Sequence, residues 1–104
     1  MKKIAIFCRS APGSKRRLAE EALRLAAGLA ATGRLQVDLI LQYGGLLLLE
    51  PEFSGSSQAC ESLLSPTSRI VVPANTRLPA GAPRTEMITD LEKSAQLADI
   101  VLRF

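Results

Sequence analysis

Apolar and polar positions along this chain fall into two periods. Ile4-Ala5-Ile6-Phe7-Cys8 is a continuous apolar run, the pattern of a central strand covered on both faces. Leu18, Ala22, Leu25, Ala26 and Leu29 recur at i, i+4, i+7, i+8 and i+11, which predicts a helix with one apolar face. Ser14 stands where its N-cap belongs, after the Ser10-Ala11-Pro12-Gly13 turn, and Gly33 stands where a helix running to about Thr32 should stop. Leu35 to Gln42 alternates, with Leu35, Val37, Leu39 and Leu41 on one side and Gln36, Asp38 and Gln42 on the other. That alternation predicts an edge or half-covered strand.

The second half is more broken. Tyr43-Gly44-Gly45 interrupts the second strand, and Leu46 to Leu49 predicts a helical turn ahead of Pro51. The polar stretch Ser54 to Ser57 leads into a short helix near Gln58 to Leu64, and Arg69 to Val72 is a third strand. Pro73 to Arg84, with three prolines and a glycine, reads as a surface loop. Glu86-Met87-Ile88 is a very short fourth strand. Thr89 and Glu92 form a capping box for a brief helix ending near Ala98, and Asp99 to Phe104 is the last strand. Strands alternating with helices predict a single-domain α/β fold over residues 1–104, a mostly parallel sheet of four or five strands flanked by helices.

Composition narrows the chemistry. With 104 residues, 47% apolar and 22% charged, the chain has the make-up of one folded domain. It has no histidine, so an imidazole base and any histidine-containing zinc site are excluded, and no metal or other cofactor is implied. The five apolar residues after Met1-Lys2-Lys3 are too few for a secretory signal, and the four leucines at 46–49 are too few to span a bilayer. A soluble cytoplasmic protein is expected, with Cys8 and Cys60 as reduced thiols. Residues 1–34 carry eight basic and two acidic groups (+6), and residues 35–104 carry five and eight (−3). That division suits an anion or an acidic partner; direct nucleic-acid contact is not expected.

Three constellations are candidates for function. Cys8, at the end of the first strand, has Arg9 beside it and a helix start nearby, both of which favour a thiolate, so it is a candidate persulfide acceptor. A buried structural cysteine is the competing reading. Phosphatase chemistry needs an arginine six residues after such a cysteine, and position 14 is serine. Arg9, Ser10, Gly13, Ser14 and Lys15 are candidate anion-binding residues, because Lys15, Arg16 and Arg17 crowd a helix N-terminus that is already positive. Solvated side chains are the alternative, and no P-loop glycine precedes Gly13-Ser14-Lys15, since position 8 is cysteine. Leu46, Leu47, Leu48 and Leu49 point in all directions on one helical turn, which makes them interface candidates: two leucines left in water forgo roughly 3–6 kcal/mol.

The strand followed by Ser10-Ala11-Pro12-Gly13-Ser14, the segment Tyr43-Gly44-Gly45-Leu46-Leu47-Leu48 and the terminal Asp99-Ile100-Val101-Leu102-Arg103-Phe104 together resemble the TusC/DsrF branch of the DsrE-like sulfur-relay family. The resemblance implies a DsrE-like parallel α/β sheet in an obligate cytoplasmic homo- or hetero-oligomer with DsrE/TusD-like and DsrH/TusB-like subunits. It implies passage of persulfide sulfur, toward 2-thiouridine in tRNA or in sulfur oxidation. Carrier subunits of that family hold sulfur on a cysteine just past the third strand, where this chain has Pro73-Ala74-Asn75. A non-carrier subunit is therefore expected. A sulfurtransferase-like thiol protein using Cys8 and a small anion- or nucleotide-binding module are the alternatives.

Overall fold

Residues 1–13, 15–50, 67–80 and 82–104 are described by a computed structural model. The apolar run at the start forms β1 (Lys2–Cys8), followed by α1 (Leu18–Ala31) and β2 (Leu35–Leu41). A 3₁₀ segment, Tyr43–Leu49, leads away from β2. Next come β3 (Ser68–Pro73), β4 (Glu86–Ile88), α2 (Leu91–Gln96) and β5 (Ile100–Arg103). The strands lie in the order β4-β3-β2-β1-β5, and all four neighbouring pairs run parallel. The chain builds outward from β1 to β4 and then returns to the other side of β1, so strand order reverses between β1 and β5. The α/β class and the parallel sheet expected from the alternation are present.

Among the described residues, α1 and α2 cover opposite faces of the sheet. Under α1 lie Ile4, Ile6, Cys8, Val37, Leu39, Leu41, Ile70 and Val72; under α2 lie Ala5, Phe7, Ile40 and Val71. The central strands β1, β2 and β3 therefore send alternate side chains into two different clusters, which is why β1 reads as unbroken apolar sequence.

Several local expectations are corrected. β2 is neither an edge nor a half-covered strand: it pairs with β1 on one side and β3 on the other, and Asp38 on its supposedly polar side is fully buried. The residues of α1 against the sheet are chiefly alanines (Ala19, Ala22, Ala26, Ala27 and Ala30, with Leu23), whereas Leu25 faces water. Methyl side chains bring the helix axis close to the sheet, and this rotates the buried face away from the larger leucines. The helix starts at Leu18, with Arg17 at the cap in a left-handed conformation (φ 53°) and no side-chain cap; Ser14 lies outside the described residues. Gly33, at φ 69°, stops the helix as expected, its amide donating to the Ala30 carbonyl. The cap of α2 is Asp90, whose Oδ1 accepts from the Lys93 amide at 3.1 Å, and not Thr89. The helix expected near Gln58 to Leu64, and Cys60 on it, lie outside the described residues.

Candidate functional site

In parallel sheets with reversed strand order, ligands meet the carboxyl ends of the strands. Here those ends carry Cys8 and Arg9 after β1, Gln42 and Tyr43 after β2, Pro73 to Thr76 after β3, and Arg103 and Phe104 at β5. Two non-glycine residues adopt left-handed backbone at this rim, Tyr43 (φ 51°) and Asn75 (φ 67°), each directly past or near the end of a strand. Such conformations cost of order 1–3 kcal/mol and collect where a turn has to aim a side chain. Between them opens a groove of about 510 Å³, with Gln42, Tyr43, Leu46, Pro73, Thr76 and Leu91 on its walls.

A triad of charges borders the groove. Glu92 at the start of α2 takes Arg103 through both oxygens, at 3.3 and 3.1 Å, and Arg9 at 3.7 Å. Arg9 also donates from Nε to the Gln42 side-chain Oε1 at 3.1 Å and lies 6.0 Å from the Tyr43 ring centre, while the Arg103 guanidinium lies 4.5 Å from the centre of the Phe7 ring. The hydrogen bonds from Arg103 hold the Glu92 carboxyl below its ordinary pKa, with the charges of Arg103 and Arg9 adding to the effect.

Cys8 sits behind this rim rather than in it. Its side chain is fully buried, and its thiol donates to the Ser10 carbonyl at 3.6 Å. Burial pushes its pKa up, a backbone hydrogen bond at Ser10 opposes this, and the charge of Glu20 adds to the rise. The thiolate expected from Arg9 and the nearby helix start is thus disfavoured, and the structural reading of Cys8 fits its surroundings. What closes it in is the pair Gly44-Gly45: a Cβ on Gly45 would overlap the Cys8 carbonyl oxygen, and one on Gly44 would come within 2.8 Å of the Ala11 amide nitrogen. The glycines read from sequence as a turn are also the contact that lets the 3₁₀ segment lie against the β1–α1 loop.

The anion-binding candidates are only partly assembled. Arg9 points to the groove with Gln42 and Glu92, whereas Lys15, Arg16 and Arg17 are exposed at the other end of the loop. The Gly13 amide is already taken, donating to both Glu20 oxygens at 3.3 and 3.4 Å, and Arg17 reaches the same carboxylate at 3.3 Å. Desolvation pulls the Glu20 pKa up, but hydrogen bonds from its own backbone, Arg17 and Gly13 outweigh it and leave the carboxyl below its ordinary value. The chain thus supplies its own anion to this loop. The interface candidates divide too: Leu48 and Leu49 are buried in the core, Leu46 packs partly against it, and Leu47 stays exposed. Wrapping the 3₁₀ segment against the sheet buries more of the run than one helical turn would suggest.

Two features lay beyond sequence reasoning. Glu92 was legible only as half of a capping box, and the role of Gln42 depends on Arg9, 33 residues away. Among the described residues no three acidic or cysteine side chains gather as a metal site, and no helix is long and apolar enough to cross a membrane.

The chain matches no protein-family model and no curated protein. Among solved structures it is similar to the YchN protein from E. coli, with a TM-score of 0.70 and 25% identity over the whole length of both chains. The similarity extends over every element described above and carries the DsrE-like α/β fold class expected from the sequence.

Proposed function

We propose that this chain is a non-carrier subunit of a cytoplasmic sulfur-relay complex, of the TusC/DsrF type, in which a different subunit of the same fold holds the persulfide. One observation carries this reading. The groove at the carboxyl rim is lined by Pro73 and Thr76, the sequence Pro73-Ala74-Asn75 stands just past the third strand where a carrier would have its cysteine, and among the described residues the thiol of Cys8 is buried with its pKa pushed up. The three matched sequence segments and the full-length likeness to YchN support the family side of the reading. In such a complex the subunit shapes and shields the relay instead of bearing sulfur, and the relay feeds either 2-thiouridine in tRNA or sulfur oxidation.

The test is isolation of the tagged full-length chain from its native source with persulfides trapped by alkylation. The expected result is co-isolation of a second chain of similar size that carries added sulfur, with none at Cys8. Persulfide on Cys8 itself favours the second reading, a sulfurtransferase-like thiol protein, and overturns the first.

A further inference from the structure

Tyr43 is the one tyrosine of the chain, and its placement is costly in two ways. Its ring lines the carboxyl-rim groove yet is 74% exposed, and it belongs to neither buried cluster. Its backbone is left-handed at φ 51°, a conformation that suits glycine or asparagine and is an outlier for a bulky side chain. Packing within the chain therefore does not explain why an aromatic stands here.

Arg9 lies beside it with donors to spare. Its guanidinium is 6.0 Å from the centre of the Tyr43 ring, and its Nε is fixed by the Gln42 side chain. Both Glu92 oxygens accept from Arg103, which offsets the charge of that carboxylate. Nη2 of Arg9 stays 3.7 Å from Glu92, an ion contact too long for a hydrogen bond. Among the described residues both Nη groups of Arg9 thus lack an acceptor, and half of the side chain is in water. Asp90 lines the same groove: its Oδ1 accepts from the Lys93 amide, and its Oδ2 has no partner among the described residues. Leu46, Pro73 and Leu91 supply apolar wall in a volume of about 510 Å³. An apolar cleft of this size with a few polar groups is the make-up of a small-molecule site.

The geometry points to a free nucleoside monophosphate as the ligand of this groove. Its base offers a flat face to the Tyr43 ring, since aromatic side chains stack on any base. Its phosphate presents paired acceptors to the two Nη groups of Arg9. Its ribose hydroxyls donate to Asp90 Oδ2, at the carboxyl edge of a parallel sheet where carboxylates take ribose. A simple anion uses Arg9 alone, and an apolar molecule leaves Arg9 and Asp90 without partners. No lysine and no glycine-rich run of amides lines the groove, so nothing is set for further phosphates. Such a site needs neither a second subunit nor a thiol, so it stands or falls apart from the sulfur-relay reading.

The test is titration of the full chain with uridine and adenosine monophosphate, followed by the ring-proton resonances of its single tyrosine. Saturable upfield shifts are expected, because a stacked base shields the ring it covers. Uridine, ribose phosphate and inorganic phosphate each lack part of the ligand and should bind at least roughly tenfold more weakly. Arg9→Gln should abolish the preference for the monophosphate over the nucleoside, a readout that a mere loss of stability does not give. Tyr43→Asn should melt at or above wild type, because asparagine tolerates left-handed backbone, yet lose nucleotide binding by calorimetry. Unmoved tyrosine resonances in millimolar nucleotide overturn the inference. So does a response to inorganic phosphate equal to that for nucleotide, or undiminished binding by both variants. A trinucleotide of RNA that binds roughly tenfold tighter than either mononucleotide overturns the free nucleotide as the ligand.

Discussion

Arg69 grips Asp38 from the neighbouring strand with two hydrogen bonds, Nε to Oδ1 at 3.0 Å and Nη2 to Oδ2 at 3.1 Å, at positions that are direct partners in the β2–β3 register. Lys3 of β1 reaches the same carboxylate at 3.2 Å, and the Ser94 hydroxyl donates to it from α2 at 3.4 Å. Arg69 also meets Glu86 on β4, so one chain of charges, Lys3-Asp38-Arg69-Glu86, crosses four strands. Asp38 raises the pKa of Arg69, chiefly by hydrogen bonding and against the cost of burial. Because α2 is fastened to Asp38 through Ser94, this carboxylate in mid-sheet also sets where Leu91 and Glu92 stand at the groove.

Removing that carboxylate leaves Lys3 and Arg69 without their shared counter-charge. Asp38→Ala is expected to lower unfolding free energy by about 3 kcal/mol, the low end for a broken buried pair because both cations still touch water. Ser94→Ala should cost about 1 kcal/mol, one long hydrogen bond. Urea denaturation measures both, and a loss below about 0.5 kcal/mol for Asp38→Ala means that the network contributes register without stability.

Two glycines should respond in opposite directions. Gly45 has no room for a methyl group against the Cys8 carbonyl, so Gly45→Ala must displace either the 3₁₀ segment or the end of β1. A loss of about 2–3 kcal/mol or more is expected, as for overpacking in a core. Gly28 lies mid-helix in α1 with open space around it, so Gly28→Ala should raise stability by about 0.5–1 kcal/mol. Thermal melts of the two variants beside wild type test the pair.

How much of this was legible in sequence depended on whether the cause was local. β1, β3 and β4 announce themselves as apolar or β-branched runs between turn residues, and the alternation of strand and helix implies the parallel sheet. Asp38 broke the pattern because its partners, Lys3 and Arg69, are 35 and 31 positions away; a carboxylate paired across strands looks in sequence like a solvent-facing one. The face of α1 was misjudged for a different reason. Its leucines carry the strongest periodic signal, but close packing on a sheet favours the alanines, a preference visible only once the sheet is there. At the site, Gly44-Gly45 could be read as a turn, whereas the proximity of its second glycine to Cys8 follows from tertiary contact alone.

Cys8 should behave as a core residue. Its thiol is buried and its pKa raised, so in a Cys60→Ser background alkylation by iodoacetamide at neutral pH is expected to run at least roughly tenfold slower than for free cysteine. The sign for stability follows from linkage. A thiol whose pKa is higher folded than unfolded binds its proton more tightly in the native state, so its contribution is present below the unfolded value of about 8.5 and is lost as pH rises through the folded value. Cys8→Ala should therefore show a weaker fall in stability above about pH 8.5 than wild type. Rapid alkylation of the native protein contradicts the buried-thiol assignment.

Glu20 offers the last test, because it answers the question posed by the basic cluster at 15–17. Its carboxylate occupies the Gly13 amide and pairs with Arg17, so an external anion has to compete with a tethered one. Sulfate at fixed ionic strength is therefore expected to leave the melting temperature of wild type unchanged. In Glu20→Ala the amide and the guanidinium are vacated together, and sulfate should then raise the melting temperature, by linkage about 2.7 kcal/mol at a hundredfold excess over its dissociation constant. The pH profile carries the same information. A carboxyl whose folded pKa is depressed contributes stability above its unfolded value, about 4.3, and loses it as pH falls through the folded value. Wild type should consequently lose more stability than Glu20→Gln between neutral pH and about pH 3. A sulfate response in wild type equal to that of Glu20→Ala means that the carboxylate does not hold the loop, and returns the cluster to the role of an anion site.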